Sequence, residues 1–122
     1  MTATPLRWTA LVLGVALGLT AAFAQEGGRE QKFSVSARKY AFSPARIEVQ
    51  QDDLVRISLT SDDIPHSFTI DKYRIAKRVE PGKPVVFEFR ADQPGRFPIY
   101  CNLAIDEKCK EMHGELIVTP RN

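Results

Sequence analysis

Four residues have side chains that could do more than fill a core: His66, Cys101, Cys109 and Met112. One imidazole, two thiols and one thioether form a soft set of donors, which suits copper, particularly Cu(I), or zinc. Each residue also has a simpler interpretation, because a histidine can be satisfied by local hydrogen bonds and a methionine usually fills a core. The two cysteines can equally form a disulfide. Which chemistry is available depends on the elements that carry these residues.

Apolar residues recur at every second position along most of the chain from Phe33 onward, as is typical of strands with one buried face. Turn-forming residues separate these runs, and the only helical candidate is a single turn over residues 106–111. The sequence therefore predicts an all-β, antiparallel sandwich of about seven or eight short strands. The alternating runs are Phe33, Val35 and Ala37; Ile47 and Val49; Val55, Ile57 and Leu59; Phe68 and Ile70; Val85, Phe87 and Phe89; Phe97, Ile99 and Cys101; and Leu116 and Val118.

Strand parity predicts where two of the four chemical side chains point. Residues two apart in a strand face the same side of the sheet. His66 thus shares a face with Phe68 and Ile70, and Cys101 shares one with Ile99. We therefore expect an imidazole and a thiol from different strands to point inward at strand ends, where a buried polar group needs a partner.

The first 24 residues have the composition of an export signal. Residues 1–7 form a short basic start, residues 8–24 carry no charge, and Ala22 and Ala24 supply small residues at alternate positions. This pattern predicts cleavage before Gln25, a flexible polar lead-in over residues 25–32, and one domain over residues 33–120. The alternative is an uncleaved membrane anchor, but the apolar stretch is shorter than the roughly 20 residues that a spanning helix needs. In both cases the domain lies outside the cytoplasm, in a periplasmic or extracytoplasmic location.

Composition narrows the function classes further. The chain has 17 basic and 15 acidic residues, and removal of Arg7 with the signal leaves 16 basic residues, so the mature domain is nearly neutral. No nucleic-acid partner is expected of such a chain, and its interleaved charges indicate an ordinary solvated surface. No serine-nucleophile motif, phosphate-binding glycine loop or paired carboxylate pattern is present, so the sequence does not predict an enzyme.

Three segments of the sequence resemble those of the cupredoxin family. The segment Asp63–Phe68 is similar to the first-ligand segment of small cupredoxins and of the copper domain of cytochrome c oxidase subunit II, in which a histidine follows a turn and begins a strand. The segment Gly95–Cys101 resembles the strand that delivers the copper-ligating cysteine, and Met112–Val118 resembles the segment that holds the axial methionine. The resemblance implies a Greek-key β-sandwich and a copper site.

The dinuclear pattern of that family is a cysteine, three residues, a second cysteine, three residues, a histidine, two residues and a methionine. When Cys101 and Met112 are aligned without a gap, Ile105 stands at the second cysteine and Cys109 stands at the histidine. Another register places Cys109 and His113 at those positions but needs a four-residue insertion. We prefer the first register because it keeps the last strand in place.

The preferred register implies a metal site of His66, Cys101, Cys109 and Met112, holding one copper ion rather than two. His113 remains an alternative to Met112, although parity would turn it the opposite way. The implied function is a one-electron carrier or a copper-holding module. Its implied partner is a redox protein or a copper chaperone, and we expect a monomer. The rival interpretation is a binding or structural sandwich in which a Cys101–Cys109 disulfide replaces the metal.

Overall fold

The computed structural model describes residues 28–121, which form nine β-strands and two short 3-10 helices. The all-β prediction is thereby confirmed, and the expected single turn is the second 3-10 helix. The strands are β1 (Glu30–Arg38), β2 (Ala41–Ser43), β3 (Arg46–Gln50), β4 (Leu54–Ser61), β5 (His66–Ile70), β6 (Ile75–Val79), β7 (Val85–Arg90), β8 (Gly95–Tyr100) and β9 (His113–Thr119), and the helices are η1 (Asp71–Tyr73) and η2 (Glu107–Glu111).

The expected signal peptide, residues 1–24, lies outside the described residues. Within residues 28–121, no helix has the length and apolar character needed to cross a membrane. Strand β1 begins at Glu30, inside the segment expected to be a flexible lead-in, because its backbone pairs with β4 from Glu30 opposite Leu54 onward. Polar side chains at Glu30 and Lys32 do not prevent this pairing, since a ladder needs only backbone groups.

The strands form two sheets, with the orders β2-β1-β4-β7 and β3-β9-β8-β5-β6. Both sheets are mixed rather than purely antiparallel, because β1 pairs with β4 and β3 pairs with β9 in parallel. Parallel neighbours arise where the chain crosses between sheets before it returns, and such crossings cannot be recognised from strand periodicity. The remaining pairings within the two sheets are antiparallel.

The core lies between the sheets and is built from the inward-facing residues that the alternation predicted. Phe68 on β5 joins the two layers, because its ring centroid lies 5.8 Å from that of Phe42 on β2 and 5.7 Å from that of Phe87 on β7. Such aromatic pairs contribute about 0.5–1.5 kcal/mol beyond the apolar area that they bury. Fully buried aliphatic residues surround this pair of contacts: Val35, Ile47, Val55, Ile57, Leu59, Ile70, Val79, Ile99 and Leu116.

Candidate metal centre

The fold brings the four candidate ligands to one end of the sandwich. His66 is the first residue of β5, Cys101 follows the last residue of β8, Cys109 lies in η2, and Met112 directly precedes β9. Because β8 runs antiparallel to both β5 and β9, the start of β5, the end of β8 and the start of β9 meet at the same end. Loop and strand residues that are distant in sequence are thus placed together.

All four side chains are withdrawn from solvent. The exposed fraction is 1% for His66, 0% for Cys101, 3% for Cys109 and 0% for Met112. A buried imidazole must have partners, because burying a polar group without them costs free energy. All four candidate side chains are therefore shielded from bulk water.

Cys101 and Cys109 form a disulfide, with their Cα atoms 5.2 Å apart and a sequence separation of eight. This Cα distance lies within the ordinary span of such bonds. Each sulfur also accepts a backbone N–H: Ser67 donates to Cys101 Sγ at 3.4 Å, and Leu103 donates to Cys109 Sγ at 3.2 Å. Amide donors aimed at sulfur favour its charged form, so the same backbone groups would stabilise thiolates once the bond is opened.

The imidazole of His66 is oriented by Asp63, whose Oδ1 lies 2.8 Å from Nε2. Burial raises the pKa of Asp63, but hydrogen bonds from the Lys39 N–H, His66 and the Ile64 N–H outweigh it and lower the pKa to about 2. Asp63 is therefore a carboxylate at neutral pH and can only accept a hydrogen bond. Nε2 can therefore donate to this carboxylate, and the neutral tautomer with its proton on Nε2 presents a lone pair on Nδ1.

No hydrogen bond reaches Nδ1 of His66 from any group in residues 28–121. A buried ring nitrogen with a free lone pair, held by a carboxylate on its opposite nitrogen, has the arrangement that metal-binding histidines use. In the disulfide form, the same residues contain no group of three or more His, Cys, Asp or Glu side chains placed to hold a metal ion. In the disulfide form, the two sulfurs are bonded to each other and are not available as thiolate ligands.

A polar pair ties the histidine strand to the cysteine strand. Ser67 Oγ donates to Asn102 Oδ1 at 2.7 Å and accepts the Asn102 N–H at 2.7 Å. Ser67 follows His66, and Asn102 follows Cys101. This double contact therefore fixes the spacing between the chain segments that carry His66 and Cys101. Thr69 Oγ1, 3.2 Å from Ser67 Oγ, adds a third partner.

The loop after Cys101 is held by a second polar contact, between Tyr40 and Asp106. The Tyr40 hydroxyl donates to Asp106 Oδ2 at 2.7 Å, which raises the pKa of Tyr40 and lowers that of Asp106. Asp106 also caps η2 by accepting the Lys108 N–H at 2.9 Å. The residue that starts the helix of Cys109 is thereby joined to the turn between β1 and β2.

Sequence reasoning did not assign the supporting residues Asp63, Ser67, Tyr40 and Asp106. The position of Asp63, three residues before His66, was a usable signal. Tyr40 and Asp106 are 66 residues apart in the chain, so no local pattern connects them. His113 is exposed, as parity predicted, and Ile105 is 59% exposed.

Comparison with known proteins gives one family match. The model of the cupredoxin-like domain matches residues 9–118. Cytochrome c oxidase subunit 2 of Thermus thermophilus is 28% identical over 97 residues, which are 80% of this chain and 72% of the relative. Nitrous-oxide reductase of Cupriavidus necator is 30% identical over 95 residues, which are 75% of this chain but only 15% of the relative.

Solved structures with the same fold include the periplasmic domain of subunit II of cytochrome oxidase from Bradyrhizobium japonicum, with a TM-score of 0.65 and 13% identity over 74% of this chain and 84% of that one. Another is a mixed disulfide intermediate between a thioredoxin-like protein and subunit II of cytochrome c oxidase, with a TM-score of 0.63 and 14% identity over 86% of this chain and 89% of that one. At these identities the likeness is one of fold.

Proposed function

Because this chain belongs to the cupredoxin-like domain family, we propose that its reduced form binds one copper ion. The ligands in this proposal are Nδ1 of His66, the thiolates of Cys101 and Cys109, and the thioether of Met112. Copper supplies a one-electron couple between Cu(I) and Cu(II), which suits a carrier, and two thiolates with a thioether favour the Cu(I) state, which suits a holding module.

The observation that carries the proposal is the unpartnered lone pair of His66 Nδ1 at the sandwich end that also holds both sulfurs. His66 is 1% exposed, and the residue after it, Ser67, donates its N–H to Cys101 Sγ at 3.4 Å. A buried nitrogen acceptor left free at the same end of the sandwich as two sulfur atoms has a chemical reason if a cation binds at that end.

The proposal requires the Cys101–Cys109 bond to be opened before copper binds, because a disulfide sulfur is a much poorer ligand than a thiolate. Opening the bond takes two electrons and two protons and yields two thiols. A dithiol protein is the class of reductant that can supply them, since its own cysteines end as a disulfide. The mixed disulfide solved for subunit II of cytochrome c oxidase and a thioredoxin-like protein supports such a partner, and a copper chaperone is the corresponding metal donor.

A second candidate function is supported by the disulfide itself. With the two sulfurs bonded and both cysteines at most 3% exposed, the domain is complete as a non-metal binding or structural module. In that case the disulfide stands where a metal site would be, and the end of the sandwich contributes only stability.

We place either form outside the cytoplasm, exported through the N-terminal segment. The uncharged stretch of residues 8–24 after a basic start supports this location, as does the periplasmic subunit II domain that has the same fold. Disulfides persist in such oxidising compartments.

The two candidates are separated by a Cu(I) titration of the full mature chain, with and without prior reduction. Under the copper proposal, the reduced protein competes with a chromophoric Cu(I) chelator for about one equivalent, and the oxidised protein does not compete. Cys101→Ser should abolish binding, whereas the matched control His113→Ala, at an exposed position, should leave it unchanged.

Reduced protein that takes up no copper would overturn the copper proposal and leave the disulfide module. If copper binds, oxidation to Cu(II) should give intense thiolate-to-copper absorption. A reversible copper couple in voltammetry then assigns the carrier, and an irreversible one assigns the holding module.

A further inference from the structure

The turn between β1 and β2, residues 39–40, contacts both loops that lead to the candidate ligands. The Lys39 N–H donates to Asp63 Oδ2 at 2.8 Å, and Asp63 in turn orients His66. The Tyr40 hydroxyl donates to Asp106 Oδ2 at 2.7 Å on the other side. One two-residue turn therefore reaches the histidine side and the Cys109 side of the site.

The Tyr40 contact matters because few polar contacts hold the segment between Cys101 and Met112, here called the cysteine loop (residues 102–111), although Leu103 and Cys109 pack on the core. Asn102 is fixed by Ser67 at the start of the loop. Beyond Asn102, the Tyr40–Asp106 bond is the one hydrogen bond that joins the cysteine loop to a described residue outside residues 101–112. The disulfide also closes this loop, but it is absent in the reduced form.

Tyr40 is itself well placed to hold this loop. Its ring packs against the hydrophobic core while remaining partly exposed, and the Lys108 Nζ lies 5.8 Å from the ring centroid. Lys108 and Asp106 flank the first turn of η2, so both contacts act on the helix that carries Cys109. An amphipathic tyrosine of this kind presents its hydroxyl at low entropic cost.

We propose that Tyr40 is a positioning residue that keeps Cys109 beside Cys101 after the disulfide is reduced. Both the disulfide and the Tyr40–Asp106 bond close the cysteine loop onto the same body, so each favours the other, and the coupling is reciprocal. Loss of the hydroxyl makes the reduced loop freer, which lowers the effective concentration of one thiol near the other. The copper consequence rests on the proposed function, whereas the thiol consequence does not.

The test is Tyr40→Phe, which removes the hydroxyl and keeps the ring. Metal-free protein is equilibrated with glutathione buffers, in which the protein dithiol and oxidised glutathione exchange with the protein disulfide and two reduced glutathiones. We expect the equilibrium constant for disulfide formation to fall about threefold, as for loss of one exposed charged hydrogen bond, which is about 14 mV for this two-electron couple. Cu(I) affinity of the reduced variant should fall by about the same factor.

The matched control is Tyr100→Phe, which loses an equivalent tyrosine–aspartate bond, Tyr100 to Asp71 at 2.8 Å, outside the cysteine loop. It should leave the thiol equilibrium unchanged. Asp106→Asn keeps a neutral acceptor for Tyr40 and a cap for η2 and should shift the equilibrium less than Tyr40→Phe, whereas Asp106→Ala loses both contacts and should shift it at least as much as Tyr40→Phe.

An unchanged thiol equilibrium in Tyr40→Phe, or an equal change in Tyr100→Phe, would overturn the role of Tyr40. A shifted equilibrium in protein that binds no copper would retain the role of Tyr40 and reject the copper site. The two proposals therefore fail on different measurements.

Discussion

Opening the Cys101–Cys109 bond should lower the free energy of unfolding by about 2.5 kcal/mol. The bond closes a loop with a sequence separation of eight, and chain-entropy arithmetic for a loop of that size gives about 8.3 cal/mol/K, or about 2.5 kcal/mol at 25 °C. For a domain of this length, such a loss corresponds to a fall in Tm of about 10–20 °C.

Copper should reverse this loss if it binds the reduced form. A ligand that binds only the native state stabilises it by about 2.7 kcal/mol at a free concentration 100 times its Kd, which nearly equals the loss from reduction. The reduced, copper-loaded protein should therefore melt close to the oxidised protein. Oxidised protein should gain nothing from the same copper, because its sulfurs are bonded to each other.

Circular dichroism of the β-sheet signal during heating and urea titration measures these differences on three samples: oxidised, reduced, and reduced in a buffered Cu(I) solution. Cys109→Ser is the matched control, since it has no disulfide to open and a reductant should not change its Tm. If oxidised and reduced proteins unfold at the same urea concentration, the loop-closure reasoning is refuted. Equal stabilisation of both forms by copper would refute the assignment of the sulfurs as ligands.

Two further predictions concern residues around the core. Burial raises the pKa of Tyr73. The stability that Tyr73 contributes is therefore complete below pH 10 and is lost as the pH rises through the raised pKa. Tyr73→Phe should make the fall in the urea midpoint above pH 10 shallower. Ser67→Ala removes the oxygen that bonds Asn102 twice and should lower the free energy of unfolding by about 1 kcal/mol in urea titration, whereas Ser34→Ala, at an exposed strand position, should change it by less than about 0.5 kcal/mol.

The strands that sequence periodicity predicted are those with at least two consecutive apolar inward positions. Val55, Ile57 and Leu59 alternate cleanly in β4, and each is fully buried. Strand β6 was not predicted, because its middle inward position is Lys77, whose ammonium lies 5.5 Å from the centre of the Phe87 ring. Lys77 is a polar residue in the sequence pattern, although it occupies an inward position in the sheet.

The inward direction of His66 and Cys101 followed from parity, because it depends only on residues two apart. The contacts that orient them did not follow. Asp63 is only three residues from His66, but Asp63 is itself held by Lys39, Ser67 by Asn102 and Asp106 by Tyr40, at separations of 24, 35 and 66 residues. Such pairs are set by the crossing of the chain between sheets, and a single sequence contains no periodic signal for that crossing.

The position of β9 has a consequence for the order in which the molecule assembles. The final strand lies in the interior of its sheet, between β3 and β8, and Ile47 on β3 stands opposite Leu116. The larger sheet is therefore incomplete until residues 113–119 have been synthesised, and contacts this distant in sequence form slowly. Cys101 and Cys109, only eight residues apart, can meet before that strand arrives. Formation of this bond therefore does not require the sheet to be closed.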